Sequence, residues 1–273
     1  MGIKLLALDM DGTLMKSDHV TISEANQAAI RKAMARGVLF VPATGRMKAF
    51  IPQGVLDIPG WRYALTSNGA AVYDLQMDTL LYSDYLDRAV ASEILERIAP
   101  LDVFFELYCG GESYIECERL IHYARYNVPD EAIDFFRRKG NQIDSAQEFL
   151  EDGRHNLEKI YLPHIRPEIY KELAQILSEY DVAITSSVDT NLEVNSKTAN
   201  KGSGLAFLAD YLGFTADEVM AVGDNKNDLE MLKFAGCSVA MGNAEESVKR
   251  VAAYTTLSND EDGVAAAIEQ YCK

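Results

Sequence analysis

Leu5-Leu6-Ala7-Leu8-Asp9-Met10-Asp11-Gly12-Thr13-Leu14 is the stretch that decides how the rest of this chain is read. Apolar residues in an unbroken run, without polar alternation, form strands buried on both faces, and such strands belong to parallel sheets covered by helices. This run ends in two carboxylates two positions apart, followed by a glycine. Ligands of open α/β sheets bind beyond the carboxyl ends of the strands, so reactive groups belong here. Gly12 lets the backbone turn tightly and approach a ligand closely. Carboxylates this near repel each other unless a divalent metal binds or one pKa rises. An all-oxygen donor set favours magnesium over zinc. A calcium loop fits poorly, because Met15, Lys16 and Val20 do not supply the further oxygens.

Outward from this stretch, apolar runs recur at 38–43, 63–66, 219–223 and 238–241, with helix-period segments between them. The spacing predicts a helix over 24–36, capped by Ser23 and stopped at Gly37, and further helices closing before Gly213 and Gly236. The class expected is α/β, with a doubly wound parallel sheet. From about 83 to 196 the pattern changes. A hairpin is read at 104–109, Gly110-Gly111 and 113–116, and strands at 158–162, 182–186 and 192–194, with a helix from Pro167 to 180. The expected organisation is therefore a core of residues 1–83 and 197–273 with an inserted α+β domain over 84–196.

Three further stretches carry chemistry. Val41-Pro42-Ala43-Thr44-Gly45-Arg46 follows the second run, and its hydroxyl, exposed backbone and guanidinium suit phosphate oxygens; in isolation it reads as a strand-to-helix turn with a surface arginine. Asn200-Lys201-Gly202 opens a helix predicted from 203 to 212. Its lysine could offset charge on Asp9 and on a transferring phosphoryl group, although a solvated lysine is the commoner case at a helix start. Val222-Gly223-Asp224-Asn225-Lys226-Asn227-Asp228 is a second buried strand ending in acids. Asp224 could complete a metal site with Asp9, and Asn227 or Asp228 could bind metal-ligated water or position Lys201. One of them could equally be a helix cap.

The formal net charge of −16 argues against nucleic acid or an anionic membrane as a partner, since both require basic surface. Cys109, Cys117, Cys237 and Cys272 form no Cys-x-x-Cys pair, which fits reduced thiols in a cytoplasmic protein. The apolar stretch at the N-terminus is too short for a signal peptide or membrane span. His19, His122, His155 and His164 have no metal-ligand spacing and read as surface or structural residues. No Gly-x-x-x-x-Gly-Lys-Ser/Thr occurs, so a P-loop is excluded.

Taken together, Asp9-Met10-Asp11-Gly12-Thr13, Thr44-Gly45-Arg46, Lys201 and Gly223-Asp224 with Asn227-Asp228 resemble the four motifs of the haloacid dehalogenase superfamily. The similarity is to its Cof-type phosphatases, and it extends through Ser67-Asn68-Gly69-Ala70 and the 258–264 tail. The resemblance implies a Rossmann-like core with an inserted cap that reads the leaving group. It implies Asp9 as nucleophile, Asp11 as general acid and base, and Thr44 and Lys201 as charge stabilisers. Mg²⁺ would be held by Asp9, the Asp11 carbonyl and Asp224, with Asn227 or Asp228 in support. Gly45, Arg46, Asn68 and Gly69 would face the substrate, expected to be a small phosphorylated metabolite such as a sugar phosphate. A monomer or weak dimer is expected. The rivals are a phosphomutase of the same superfamily and a non-catalytic phosphate-binding protein, the latter disfavoured by the intact Asp9, Asp11, Lys201 and Asp224 set.

Overall fold

Leu5–Leu8 lies inside a five-stranded parallel sheet in the computed structural model of the chain, which describes residues 2–272. The strand order is Tyr254–Thr255, Cys237–Ala240, Val219–Gly223, Leu5–Leu8, Leu39–Pro42. Leu8 sits in register with Val222 on one side and Pro42 on the other. Leu5 through Leu8 and Val219 through Val222 are fully buried, which is why neither run alternates. From Leu5–Leu8 the chain crosses one way to Leu39–Pro42; from Val219–Gly223 it crosses the other way to Cys237–Ala240. Right-handed crossovers put these two connections on opposite faces, so the winding reverses between the central strands. Asp9 and Asp224 follow directly at that reversal.

The helix Glu24–Met34 starts where Ser23 Oγ accepts from the Asn26 N–H, and stops two residues short of the predicted end. It packs against Gly263–Tyr271, and buried Asn26 Oδ1 accepts from the Ala265 N–H at 2.9 Å.

One predicted run departs from the parallel sheet. Tyr63–Thr66 pairs antiparallel with Ala71–Asp74, which pairs with Thr79–Ser83, and a single parallel bridge, Ala43 to Leu65, links this hairpin sheet to the Leu39–Pro42 strand. The cause is local. Asn68 (φ +59) and Gly69 (φ +84) are left-handed, so the chain reverses at once instead of entering a crossover helix.

The chain divides into two compact units, one of residues up to Arg46, Ile51–Ser83 and from Asn200 onward, the other of Met47–Phe50 and Asp84–Ala199. The second unit holds a six-stranded sheet in the order Val182–Thr185, Leu192–Ser196, Leu157–Leu162, Glu106–Cys109, Glu112–Glu116, Gly140–Ile143. Every pair is antiparallel except the last. Met47–Phe50 joins it because the Ala49 N–H donates to the Gly111 carbonyl at 2.9 Å and Phe50 meets Tyr108 edge to face. Leu107, Ile160 and Val194 occupy one sheet face and share a core with Ile94, Leu95, Leu173 and Leu177 from its helices. The period of two sends Glu106, Lys159 and Glu193 to the opposite face, where all are buried. Lys159 Nζ pairs there with Glu193 Oε2 at 2.8 Å. Among the described residues no helix is long and apolar enough to cross a membrane.

Burial pushes the Glu106 carboxyl up to about 7, against the opposing Ser113 hydrogen bond and the Lys159 charge. A carboxyl raised on folding binds its proton more tightly in the native state, so its contribution to stability is present at low pH and is lost as pH rises through about 7. Between pH 5 and 8, Glu106→Gln should therefore remove a loss of stability on the order of 3 kcal/mol. Urea unfolding of both proteins at each pH measures this, and equal slopes would contradict the burial argument.

Candidate active site

The Asp9 N–H donates to the Val222 carbonyl at 3.0 Å, continuing the ladder one residue beyond the strand and fixing the nucleophile candidate against its neighbour. The chain then makes one wide turn over Met10–Leu14, with Gly12 at φ +77. A Cβ at Gly12 would stand 2.5 Å from Asp224 Oδ2, so the close approach of the two loops requires glycine. Thr13 Oγ1 donates to Asp224 Oδ1 at 2.7 Å, and Asn243 Nδ2 donates to the Gly12 carbonyl at 2.8 Å.

Lys201 is the first residue of the helix Lys201–Tyr211, two residues earlier than the sequence suggests. Asn200 caps it: Oδ1 accepts from the Ser203 N–H while Ser203 Oγ accepts from the Asn200 N–H. The Lys201 side chain is completely buried and donates to Asp9 Oδ1 at 2.5 Å and to Asp228 Oδ1 at 2.7 Å. Asp228 Oδ2 accepts from the Asp224 and Asn225 N–H groups at 2.9 and 3.0 Å. Both oxygens of Asp228 are thus occupied in holding Lys201 and the loop after Val219–Gly223.

Carboxylate oxygens of Asp9, Asp224 and Asp228 lie within 4.8 Å of one another. Burial, then Asp228, raises the Asp9 carboxyl well above the usual carboxylate range, with Asp224 adding to the rise and Lys201 opposing it. Burial and Asp228 likewise push Asp224 up to about 6, against its Thr13 bond and Lys201. Burial alone would lower the lysine, but Asp228 and then Asp9 outweigh it and raise the ammonium above its ordinary value. The three acids carry more negative charge than one lysine balances, an excess that a bound cation would offset. The donor set is oxygen alone. These residues therefore fit a hard divalent ion.

Asp11, two residues on, points elsewhere. Arg46 donates Nε to Asp11 Oδ2 at 2.9 Å and Nη2 to Oδ1 at 2.6 Å, and His19 Nδ1 stands 3.1 Å from the same Oδ1. In the structure both side chains meet Asp11, because a carboxylate matches the guanidinium fork and the loop after Met15 folds back, while His19 stays largely exposed, as a surface histidine is expected to be. The Asp11 carboxylate is not part of the acidic cluster. Asn227 Nδ2 donates to Asn68 Oδ1 at 3.2 Å, and its own Oδ1 is buried without a partner among the described residues.

Thr44 is buried beyond Leu39–Pro42, and its Oγ1 accepts from the Arg46 N–H at 3.0 Å, which leaves the hydroxyl proton to donate. The Asn68 N–H donates to the Thr44 carbonyl at 3.0 Å and the Ser67 N–H to the Arg46 carbonyl at 2.8 Å. Thr44 and Arg46 are thus stitched to Asn68 and Ser67, with Gly45 and Gly69 adjacent to them in the chain. A Cβ at Gly69 would fall 2.2 Å from the Asn200 carbonyl, which sets Gly69 directly against the start of the Lys201 helix. Thr13 and His19 were missed as site residues. Thr13 lay inside the quoted motif, whereas nothing local to His19 signals its contact.

Comparison with known proteins adds relatives to this geometry. Residues 6–268 match the model of a family described as haloacid dehalogenase-like hydrolase. A Bacillus subtilis (strain 168) protein named 5-amino-6-(5-phospho-D-ribitylamino)uracil phosphatase YcsE is 33% identical over 99% of this chain and 96% of its own. Phosphatase YwpJ of the same organism is 30% identical over 96% and 98%. The solved structure of a haloacid dehalogenase-like hydrolase from B. subtilis superposes with a TM-score of 0.83 at 30% identity, covering 98% of this chain and 99% of that one.

Proposed function

The chain belongs to the haloacid dehalogenase-like hydrolase family, and from its place among the family's phosphatases we propose a magnesium-dependent enzyme that hydrolyses small phosphate monoesters through an aspartyl-phosphate on Asp9. The observation that carries this is the buried Asp9 carboxylate held 2.5 Å from Lys201 Nζ beside Asp224, at the winding reversal of the sheet. A binding module has no need of a nucleophile kept there.

In the first step an Asp9 oxygen attacks phosphorus in line, the bond to the alcohol oxygen breaks, and Asp11 gives that oxygen a proton. In the second, water attacks phosphorus, the bond to Asp9 breaks, and Asp11 takes the proton back. The Lys201 ammonium and the Thr44 hydroxyl donate to the equatorial oxygens as charge builds on them. Asp9 and Asp224, with the Asp11 carbonyl, are the residues that would hold magnesium, and Asp228 orients Lys201 beside them. The ion, when bound, neutralises the acids and the phosphate and polarises the phosphoryl group.

For substrate we propose a phosphorylated sugar or alditol, a class that includes the ribityl phosphate in the name of the YcsE relative. The second unit, with the insert 84–196 at its centre, supplies leaving-group selectivity in this reading. Four free thiols accord with a cytoplasmic protein.

The test is phosphate release from ribitol 5-phosphate, hexose 6-phosphates, 5-amino-6-(5-phospho-D-ribitylamino)uracil and nucleotides, with Mg²⁺ and with EDTA. We expect release from the alkyl phosphates that falls by at least about a hundredfold on chelation, and a higher melting temperature with Mg²⁺ even without substrate. An isomerised sugar phosphate in place of free phosphate would identify a mutase. Release indifferent to EDTA would exclude the metal.

A further inference from the structure

Asp11 is asked to move a proton, yet most of its carboxylate is already engaged. A carboxylate offers about four lone-pair sites, two per oxygen. The Arg46 fork takes one on each oxygen, and His19 Nδ1 takes a second on Oδ1 at 3.1 Å. A carboxylate only accepts, so this contact requires the Nδ1–H tautomer of the imidazole. The lone pair left over belongs to Oδ2.

The loop bearing His19 is fastened at several points. Ser17 donates its N–H and hydroxyl to the two oxygens of Asp260 at 3.1 and 2.6 Å, and Asn259 Nδ2 donates to the Met15 carbonyl at 3.1 Å. Asp18 Oδ1 accepts from the Val20 and Thr21 N–H groups at 2.9 and 2.7 Å. Between these anchors the His19 N–H donates to the Lys16 carbonyl at 2.9 Å, with His19 at φ +57. A left-handed non-glycine residue is uncommon and costs energy. The fastened loop holds it there, and the imidazole meets Asp11.

We infer that His19 is a positioning residue which, with Arg46, blocks Oδ1 of Asp11 and leaves Oδ2 as the oxygen that exchanges the proton. This rests on the phosphatase reading above, with Asp11 as acid and base. His19 touches no reacting atom; it decides which atom of Asp11 reacts.

The consequence depends on the leaving group. An alkoxide needs the proton as its bond breaks, whereas p-nitrophenolate departs with little help. The experiment compares wild type, His19→Gly and His19→Gln on ribitol 5-phosphate and p-nitrophenyl phosphate, recording kcat and KM separately. Glycine accepts the left-handed backbone and so removes the imidazole without straining the loop; glutamine restores an N–H donor of similar reach. We expect His19→Gly to lower kcat for the alkyl ester about tenfold more than kcat for the aryl ester, a part of the full general-acid effect, with little change in KM and partial recovery in His19→Gln. Equal loss on both esters, no loss on either, or a glutamine variant no better than glycine overturns the assignment. A wild type that hydrolyses neither ester defeats the phosphatase reading itself, and the role of His19 falls with it.

Discussion

Asp9→Asn should abolish turnover, lowering kcat by at least about four orders of magnitude, while the protein folds and melts no lower than wild type. The amide has the shape of the carboxylate but cannot attack phosphorus. Its effect on stability follows from the same neighbours. Asp9 is buried, its carboxyl is driven up by burial, Asp228 and Asp224, and Lys201 alone opposes them. Removing one negative charge from that cluster relieves repulsion, so the metal-free variant should melt at or above the wild-type temperature, and its Mg²⁺-induced rise should shrink. Phosphate release and thermal melting with and without Mg²⁺ check both halves. Turnover near the wild-type rate would rule out Asp9 as nucleophile, and a large drop in melting temperature would show that the cluster depends on its charge.

Lys201→Met carries the second large effect and reverses the sign of the first. Methionine fills similar volume in a fully buried position, but Asp9 and Asp228 both lose the ammonium that they share at 2.5 and 2.7 Å. Removing one partner of a buried ion pair costs roughly 3–5 kcal/mol, because the remaining charges stay desolvated. Activity should fall on the order of a hundredfold to a thousandfold, since the proposed mechanism loses its donor to the developing phosphoryl charge. The double variant Lys201→Met, Asp228→Asn separates the two contributions. Deleting the orphaned carboxylate should recover part of the stability and none of the activity. A single variant with unaltered melting and turnover would remove Lys201 from the site.

Much of this was legible in residue order. Leu5–Leu8 and Val219–Gly223 announce buried parallel strands because each is apolar throughout, and Asp9 and Asp224 follow immediately, so a two-strand site could be read without coordinates. Lys201 was legible for a different reason, standing at a helix start where the core pattern resumes. The change of period is read as an insert over 84–196, and the second compact unit runs over Asp84–Ala199 with Met47–Phe50 added. Met47–Phe50 is grouped with the second unit through a backbone bond to Gly111 and an aromatic contact to Tyr108. Neither leaves a trace in a four-residue stretch of sequence.

What the sequence determined by itself was therefore which acidic and basic groups stand at the strand and helix ends, and their order, because burial on both faces and strand-end placement are written in local composition. The tertiary structure decided the pairings. Lys201 spans 192 residues to reach Asp9, Arg46 turns to Asp11, His19 joins it from an anchored loop, and Asp228 spends both oxygens on its neighbours. Such contacts depend on which loop ends converge and which lone pairs are already taken, and that is a property of distances in space that no spacing along the chain encodes.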